Sequence, residues 1–206
     1  MYRERLTITL DSELLMALDS LIDGEQLRNR SQTIEYLLKE GMGLHALSSA
    51  FVFVNETTNP AWLSSLATSL ASLPLTLIYL CMPLAMKEQA TTYSALFTSP
   101  VEILPADFGS GGAVSLKKAD LIQPFIMAWP SPQPLPASLV AAYLFHRSHH
   151  DPLTELCTSS ETGHTSSGIY LASPEIATFL PAGTSDLQRD TFPALLKAAR
   201  VKGYFY

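Results

Sequence analysis

Hydrophobic and polar positions first alternate strictly along this chain and then switch to helical spacing. Leu6, Ile8 and Leu10 fall on one face of a short strand and Arg5, Thr7 and Thr9 on the other, because side chains reverse direction at every residue. From Leu14 the apolar positions Leu15, Leu18, Leu21 and Ile22 recur at helical spacing, behind Asp11 or Ser12 as cap and up to Gly24. A second helix is predicted from Asn29 as N-cap, with Gln32 three residues on as in a capping box. Its apolar side is Ile34, Leu37, Leu38 and Met42, and it closes at Gly41 and Gly43. Beyond residue 50 the pattern becomes α/β. Strands are predicted at 50–55, 75–82, 101–104, 125–129 and 168–172, with a further one near 153–157. Helices are predicted at 60–72, 84–97 and 137–149, and a short one after the glycines near 110. Apolar runs separated by helices imply a mostly parallel sheet covered on both faces, a three-layer sandwich.

A lone strand has two unpaired edges, and the sequence around the first strand supplies no second one. The expected partner is the same strand of a second copy. The pair would bury Leu6, Ile8 and Leu10 on the helices and turn outward a two-stranded ribbon of a width that fits the major groove of double-stranded DNA. Arg5, Thr7 and Thr9 would then meet base edges. Arg3, Arg28, Asn29, Arg30 and Ser31 would meet phosphates at the second helix's N-terminus, where free N–H groups and the helix dipole favour an anion. The stretches "RERLTITLDSELLMALDSL" and "RNRSQTIEYLLKEG", roughly residues 3–43, resemble the ribbon-helix-helix family of prokaryotic DNA-binding proteins. The resemblance implies a β-α-α module that forms an intertwined homodimer, with those residues as its base readers and phosphate clamp.

Charge qualifies this picture. The 206 residues hold 13 Lys and Arg against 19 Asp and Glu, a net charge of −6, so attraction to nucleic acid has to be local and sensitive to salt. The length allows the small module (1–43), a linker (44–49) and one ordinary domain (50–206). Cys81 and Cys157 have no metal-ligand or CxxC spacing. Together with an N-terminus that lacks a signal peptide, this predicts reduced thiols and a cytoplasmic, nucleoid-associated protein. Thr57 to Met86 is free of charge and long enough to span a membrane. Its serines and Pro74 instead divide it into a helix and a buried strand, and no membrane association is expected.

The order "PAWLSSLATSLASLPLTLIYLCM", "VEILPADFGSGGAVSLKKA", "PFIMAWPS", "LVAAYLFHRSHHD" and "SGIYLASPEIATFLPAGTSDLQRDTFPALLKAARVKGYFY" resembles the sugar-phosphate nucleotidyltransferases over most of residues 50–206. The resemblance implies a Rossmann-like three-layer domain. It also implies a Gly-rich loop with Arg and Lys on the triphosphate after the first strand, an Asp on Mg²⁺, and a second metal-binding Asp beyond Tyr206. The chain departs from that pattern. Asn55-Glu56-Thr57-Thr58-Asn59-Pro60 holds neither glycine nor base, Ser131 stands at the aspartate position, and "ETGHTS" replaces a sugar-binding Glu-Lys pair. Gly109, Ser110, Gly111, Gly112, Ser131, Ser167 and Gly168 remain as a candidate residual ligand pocket. No catalytic residue, no metal ligand and no cofactor is expected. His146, His149, His150 and Asp151 end a helix, where His suits the dipole better than a metal. "WPSPQPLP" at 129–136 reads as a stiff connector.

The combined expectation is a sequence-specific DNA-binding regulator and not an enzyme. Its inactive nucleotidyltransferase-like domain would oligomerise the chain or sense a small-molecule effector. The competing readings are a DNA-organising or segregation factor, an assembly protein that uses the ribbon only to dimerise, and an active sugar-phosphate nucleotidyltransferase.

Overall fold

A computed structural model describes the chain apart from residues 1–6, 21, 23–27, 42–46, 108, 118–119, 150, 161–162, 181–184 and 199. The chain divides into two compact units, Met1–Leu44 and His45–Tyr206.

In the first unit, α1 (Ser12–Ser20) starts at Asp11, whose Oδ1 accepts from Leu14 N at 2.8 Å. The second helix, α2 (Arg30–Gly41), starts at Asn29, whose Oδ1 accepts from Gln32 N at 3.1 Å. Gln32 Oε1 reaches back to Arg28 N at 2.9 Å, one residue before the cap, so the box closes around the first turn. Leu18 and Thr33 are buried, while Ile8, Leu14, Leu37 and Leu38 stay exposed. The predicted strand is not formed in its described part, since residues 7–11 are irregular. An isolated strand gains no ladder hydrogen bonds, and one chain offers this one no partner. Arg3 and Arg5 lie outside the described residues.

The second unit is built on one seven-stranded sheet of order β3-β2-β1-β4-β6-β5-β7. Its strands are β1 (Ser49–Phe53), β2 (Leu77–Met82), β3 (Val101–Pro105), β4 (Phe125–Ala128), β5 (Leu153–Ser160), β6 (Gly163–Ala172) and β7 (Val201–Phe205). Every residue of β1 and β4 is buried, as their unbroken apolar runs require between two covering layers. β1 pairs in parallel with β2 on one side and with β4 on the other. β3 extends β2 in parallel, and β7 extends β5. β6 alone runs against its neighbours, pairing antiparallel with β4 and with β5. It also begins earlier than the predicted 168–172, because residues 163–166 find ladder partners in β5 that no local pattern announces.

Helices α3 (Pro60–Leu70), α4 (Ala90–Ser94), α5 (Gly109–Ser115), α6 (Leu139–His149) and α7 (Phe192–Lys197) connect the strands. In α3 the buried face is Trp62, Leu63, Leu66, Ala67 and Leu70. The hydroxyls of Thr68 and Ser69 donate to the carbonyls of Ser64 and Ser65 four residues back, at 3.0 and 3.1 Å. This accounts for an uncharged helix that is not a membrane span: one face is core and the other satisfies its own hydroxyls. Among the described residues no helix is long and apolar enough to cross a membrane. The helix predicted over 84–97 is a 3₁₀ stretch, Leu84–Gln89, followed by the single turn and a half of α4. From Leu84 to Ser94 only Met86 is buried, so packing does not hold a longer helix together, and Thr91 and Thr92 lower its propensity.

His146 of α6 is 1% exposed, and its ring nitrogens lie 2.8 Å from Thr154 Oγ1 and 3.0 Å from Ser173 Oγ. It therefore ties α6 to β5 and to the end of β6. Desolvation by burial holds its pKa down at about 4 against an ordinary 6.5, while Asp151 pulls weakly the other way. The neutral ring is the folded form, so between pH 6.5 and 4 the unfolded chain takes up a proton that the folded chain refuses. We expect stability that is full above pH 6.5 and falls by about 1.4 kcal/mol per pH unit through that window. Urea midpoints at pH 7.5 and 5 will show this drop in the parent chain and a clearly smaller one in His146→Gln.

Candidate functional site

β1, β2, β3 and β4 all end at one edge of the sheet. The chain leaves β1 toward β2 on one side, while β4 lies on the other, which makes the β1/β4 junction the point where open α/β sheets leave a crevice for a ligand. Two segments face this crevice, residues 54–59 between β1 and α3 and residues 129–136 after β4.

The first segment is closed on itself. Asn55 Oδ1 accepts from Thr57 N (3.0 Å), Thr57 Oγ1 (2.9 Å) and Thr58 Oγ1 (3.2 Å), and Asn55 N donates to Thr58 Oγ1 (2.8 Å). The Thr58 hydroxyl thus donates to Asn55 and accepts from it at once, and its residue is buried. Asn59 caps α3 by accepting from Ala61 N at 2.9 Å. The amides of Asn55, Thr57 and Ala61 are thus spent on side chains and that of Thr58 on the Asn55 carbonyl, no cation stands among these residues, and Glu56 adds a negative charge.

The second segment starts at a close main-chain crossing. Trp129 N donates to Gly168 O at 2.8 Å. Gly168 has φ +76°, and a Cβ there would stand 2.5 Å from Trp129 O. The Trp129 ring stacks on Phe53 at the end of β1 (4.4 Å between centroids, 12° between planes) and meets Tyr170 and Phe192 edge-on. Beyond it, Ser131 Oγ accepts from Gln133 N at 3.2 Å and lies 3.5 Å from Ser166 O. Gln133 Oε1 accepts from Thr158 Oγ1 at 3.3 Å, and the Tyr206 hydroxyl donates to Pro134 O at 2.6 Å. These ties hold the proline run as one wall of a cleft of about 560 Å³, with Thr57, Asn59, Trp62 and Ser65 on the opposite wall. The stiff connector read from the sequence is therefore also a lining element.

Behind Trp129, the Tyr170 hydroxyl donates to Glu155 Oε1 at 2.9 Å and sits 3.1 Å from Ser166 Oγ. Burial pushes that hydroxyl well above its ordinary range, so it remains a proton-bearing donor. Burial likewise raises both thiols, Cys157 to about 11, and leaves neither as a nucleophile.

The seven residues of the expected pocket form two groups of contacts. Ser131, Ser167 and Gly168 meet where the end of β4 lies against the middle of β6, but the buried Ser167 hydroxyl turns into the sheet and donates to Leu156 O at 2.8 Å. Gly109, Ser110, Gly111 and Gly112 open α5, and the first three pack against residues 185–187. Gly109 has φ +78° with Ser185 O where its Cβ would be, Gly111 N donates to Ser185 O at 3.0 Å, and Ser110 Oγ accepts from Leu187 N at 2.9 Å. In the first unit Thr7 and Thr9 carry no strand, and Arg30 is held by Asp19 through two bonds of 2.6 Å. Asn29 and Ser31 stand at the start of α2, the former occupied as its cap. His146 points into the fold, whereas His149 lies 2.8 Å from Phe145 O at the surface; His150 is outside the described residues. Among the described residues no three His, Cys, Asp or Glu side chains are placed to share a metal. Sequence reasoning missed Asn55, Trp62, Gln133 and Tyr170. Only Asn55 had a local signal, the spacing that makes Asx turns.

No protein-family model and no curated protein matches the chain. Solved structures do match its fold. HddC from Yersinia pseudotuberculosis superposes with a TM-score of 0.57 at 13% identity, over 77% of this chain and 90% of that one. A putative glucose-1-phosphate thymidylyltransferase from Bacillus anthracis, solved in complex with a sucrose, gives 0.55 at 9% over 78% and 87%. The inositol-1-phosphate CTP transferase of T. maritima gives 0.56 at 8% over 78% and 86%. Most of the chain therefore has a nucleotidyltransferase-like fold. The expectation of a DNA-binding regulator that is not an enzyme is corrected by these neighbours, whose fold this chain shares and two of which are named as a thymidylyltransferase and a CTP transferase.

Since the Trp129–Gly168 crossing admits no Cβ without strain, Gly168→Ala should cost on the order of 1–3 kcal/mol. Urea denaturation of the parent and variant chains measures it, and an unchanged midpoint would show that the crossing opens freely.

Proposed function

We propose that the His45–Tyr206 unit is an enzyme of the nucleotidyl-transfer type that handles a sugar-derived substrate at the carboxyl edge of its sheet. The observation that carries this reading is the cleft itself, placed at the β1/β4 junction and walled by the segments that follow those two strands. Its support is the fold, shared with proteins named for transfer to glucose 1-phosphate and inositol 1-phosphate. In such a transfer an acceptor phosphate oxygen bonds to the α-phosphorus of a nucleoside triphosphate, the bond to the bridging oxygen breaks, and pyrophosphate leaves.

The residues at this edge do not fit the magnesium ion that the fold family implies. Ser131 offers a neutral hydroxyl already accepting from Gln133 N, and both oxygens of Asp107, after β3, lie within 3.4 Å of Leu84 N. What the chain supplies is positioning: a rigid proline wall, a capped helix start and the Phe53–Trp129 stack that closes the end of β1. Without fixed cations the triphosphate charge is poorly offset, and turnover should fall below the usual enzyme range of about 1–10³ s⁻¹.

Incubation of the full chain with each common nucleoside triphosphate and a set of sugar 1-phosphates should give pyrophosphate and a nucleoside diphosphate sugar in equal amounts, detected by mass spectrometry. Filling the cleft with Ser65→Trp should lower that rate roughly ten-fold or more. Pyrophosphate at the protein-free level for every pair would overturn the reading.

A further inference from the structure

The cleft has a wall chemistry that the transfer reaction alone does not call for. Among the described residues that line it, none carries a charge. A phosphate would meet no cation on these walls, and Glu56 next to Thr57 in the chain adds a further negative charge, so an anionic occupant is disfavoured. The lining nevertheless mixes polar side chains with apolar ones. With their carbonyl oxygens engaged by Ala61 N and Thr158 Oγ1, Asn59 and Gln133 keep their NH₂ groups to donate, and Thr57 Oγ1 keeps lone pairs after donating to Asn55. Trp62 adds the most pointed signal. It is 8% exposed, it lines the cleft, and its Nε1, itself buried, has no acceptor among the described residues. The indole gives the cleft a rigid aromatic surface against which a sugar ring can pack. Pro130, Pro132 and Pro134 face this ring from across the cleft as stiff apolar surfaces.

Donating amides, a hydroxyl acceptor, an indole and apolar faces, with no charge, suit a ring that carries many hydroxyls. We propose that this cleft binds an uncharged glycosyl unit, the sugar portion of a larger substrate or a glycoside, and leaves no place for a phosphate within its own walls. The volume of about 560 Å³ lies within the usual range of ligand pockets. This rests on the reading of a sugar-derived substrate and narrows it: the group held here is the neutral end, and any phosphate lies outside the cleft.

The chain has two tryptophans, so ¹H–¹⁵N spectra of the full protein show two indole signals, and Trp62→Phe identifies the one from Trp62. Titration with methyl α-glucopyranoside, methyl α-galactopyranoside or maltose should shift the Trp62 signal saturably for at least one of them. The response should be unchanged in 0.5 M NaCl, an added-salt probe of charge. Glucose 1-phosphate should bind at least about ten-fold more weakly than the matching methyl glycoside. Ser65 is exposed, so Ser65→Trp fills the cleft without entering the core, and it should abolish the shift while far-ultraviolet circular dichroism stays that of the parent. No shift with any neutral glycoside, tighter binding of glucose 1-phosphate, or a full response in Ser65→Trp each overturns the proposal. Nucleotidyl transfer measured on the same sample separates the two readings. Turnover without glycoside binding sinks only this inference, and glycoside binding without turnover sinks only the reaction.

Discussion

The main chains of Trp129 and Gly168 cross so closely that a residue without a Cβ is required at one of them. Much of the carboxyl edge depends on that crossing. It aligns the one reversed strand, β6, against β4, and it sends Trp129 sideways onto Phe53 instead of outward. With the ring so placed, the end of β1 is capped by an aromatic face, and Tyr170 and Phe192 complete the packing behind it. The proline run then leaves from a fixed point. Its remaining anchors, to Thr158 and from Tyr206, draw on β5 and on the residue after β7, so four separate parts of the sheet position one wall.

The loop after β1 shows how one backbone layout can support different chemistry. A helix start at the end of a parallel strand offers free amides and a positive dipole end, which is an anion site wherever those amides are open. Here Asn55 and Asn59 take up the amides of Thr57 and Ala61, and the threonine hydroxyls fold inward on Asn55. The fold survives because it depends on the buried runs of β1, β2 and β4 and not on the loop. A likeness of fold at such low identity therefore leaves the substrate's charge to be read from the side chains, and these make the cleft neutral.

Local signals were legible where the physics is local. Asp11 and Asn29 cap their helices because a side-chain oxygen two or three residues before a free amide needs no tertiary help. The buried strands were legible as apolar runs, and α3 as a periodic face. The stretch over 84–97 was not, since its propensity is middling and only packing could have decided it. The N-terminal ribbon was equally undecidable from one chain, because a strand exists only with its ladder partner. At the site, Gly168 and Ser131 were visible as motif residues. Trp62 was hidden within an apolar helical face, and Gln133 within a proline run.

By itself, then, the sequence determined the helix caps, the buried strands of a mostly parallel sheet, the net acidity, and the absence of cations after the first strand. All of these follow from residue type, spacing and charge, which do not depend on where the chain goes next. Tertiary structure alone decided that β6 begins at Gly163, that the α5 glycines serve packing against Ser185, and that the proline run faces Trp62 across a neutral cleft. Those outcomes come from contacts between residues tens of positions apart, and their energies appear only once the sheet has brought the partners together.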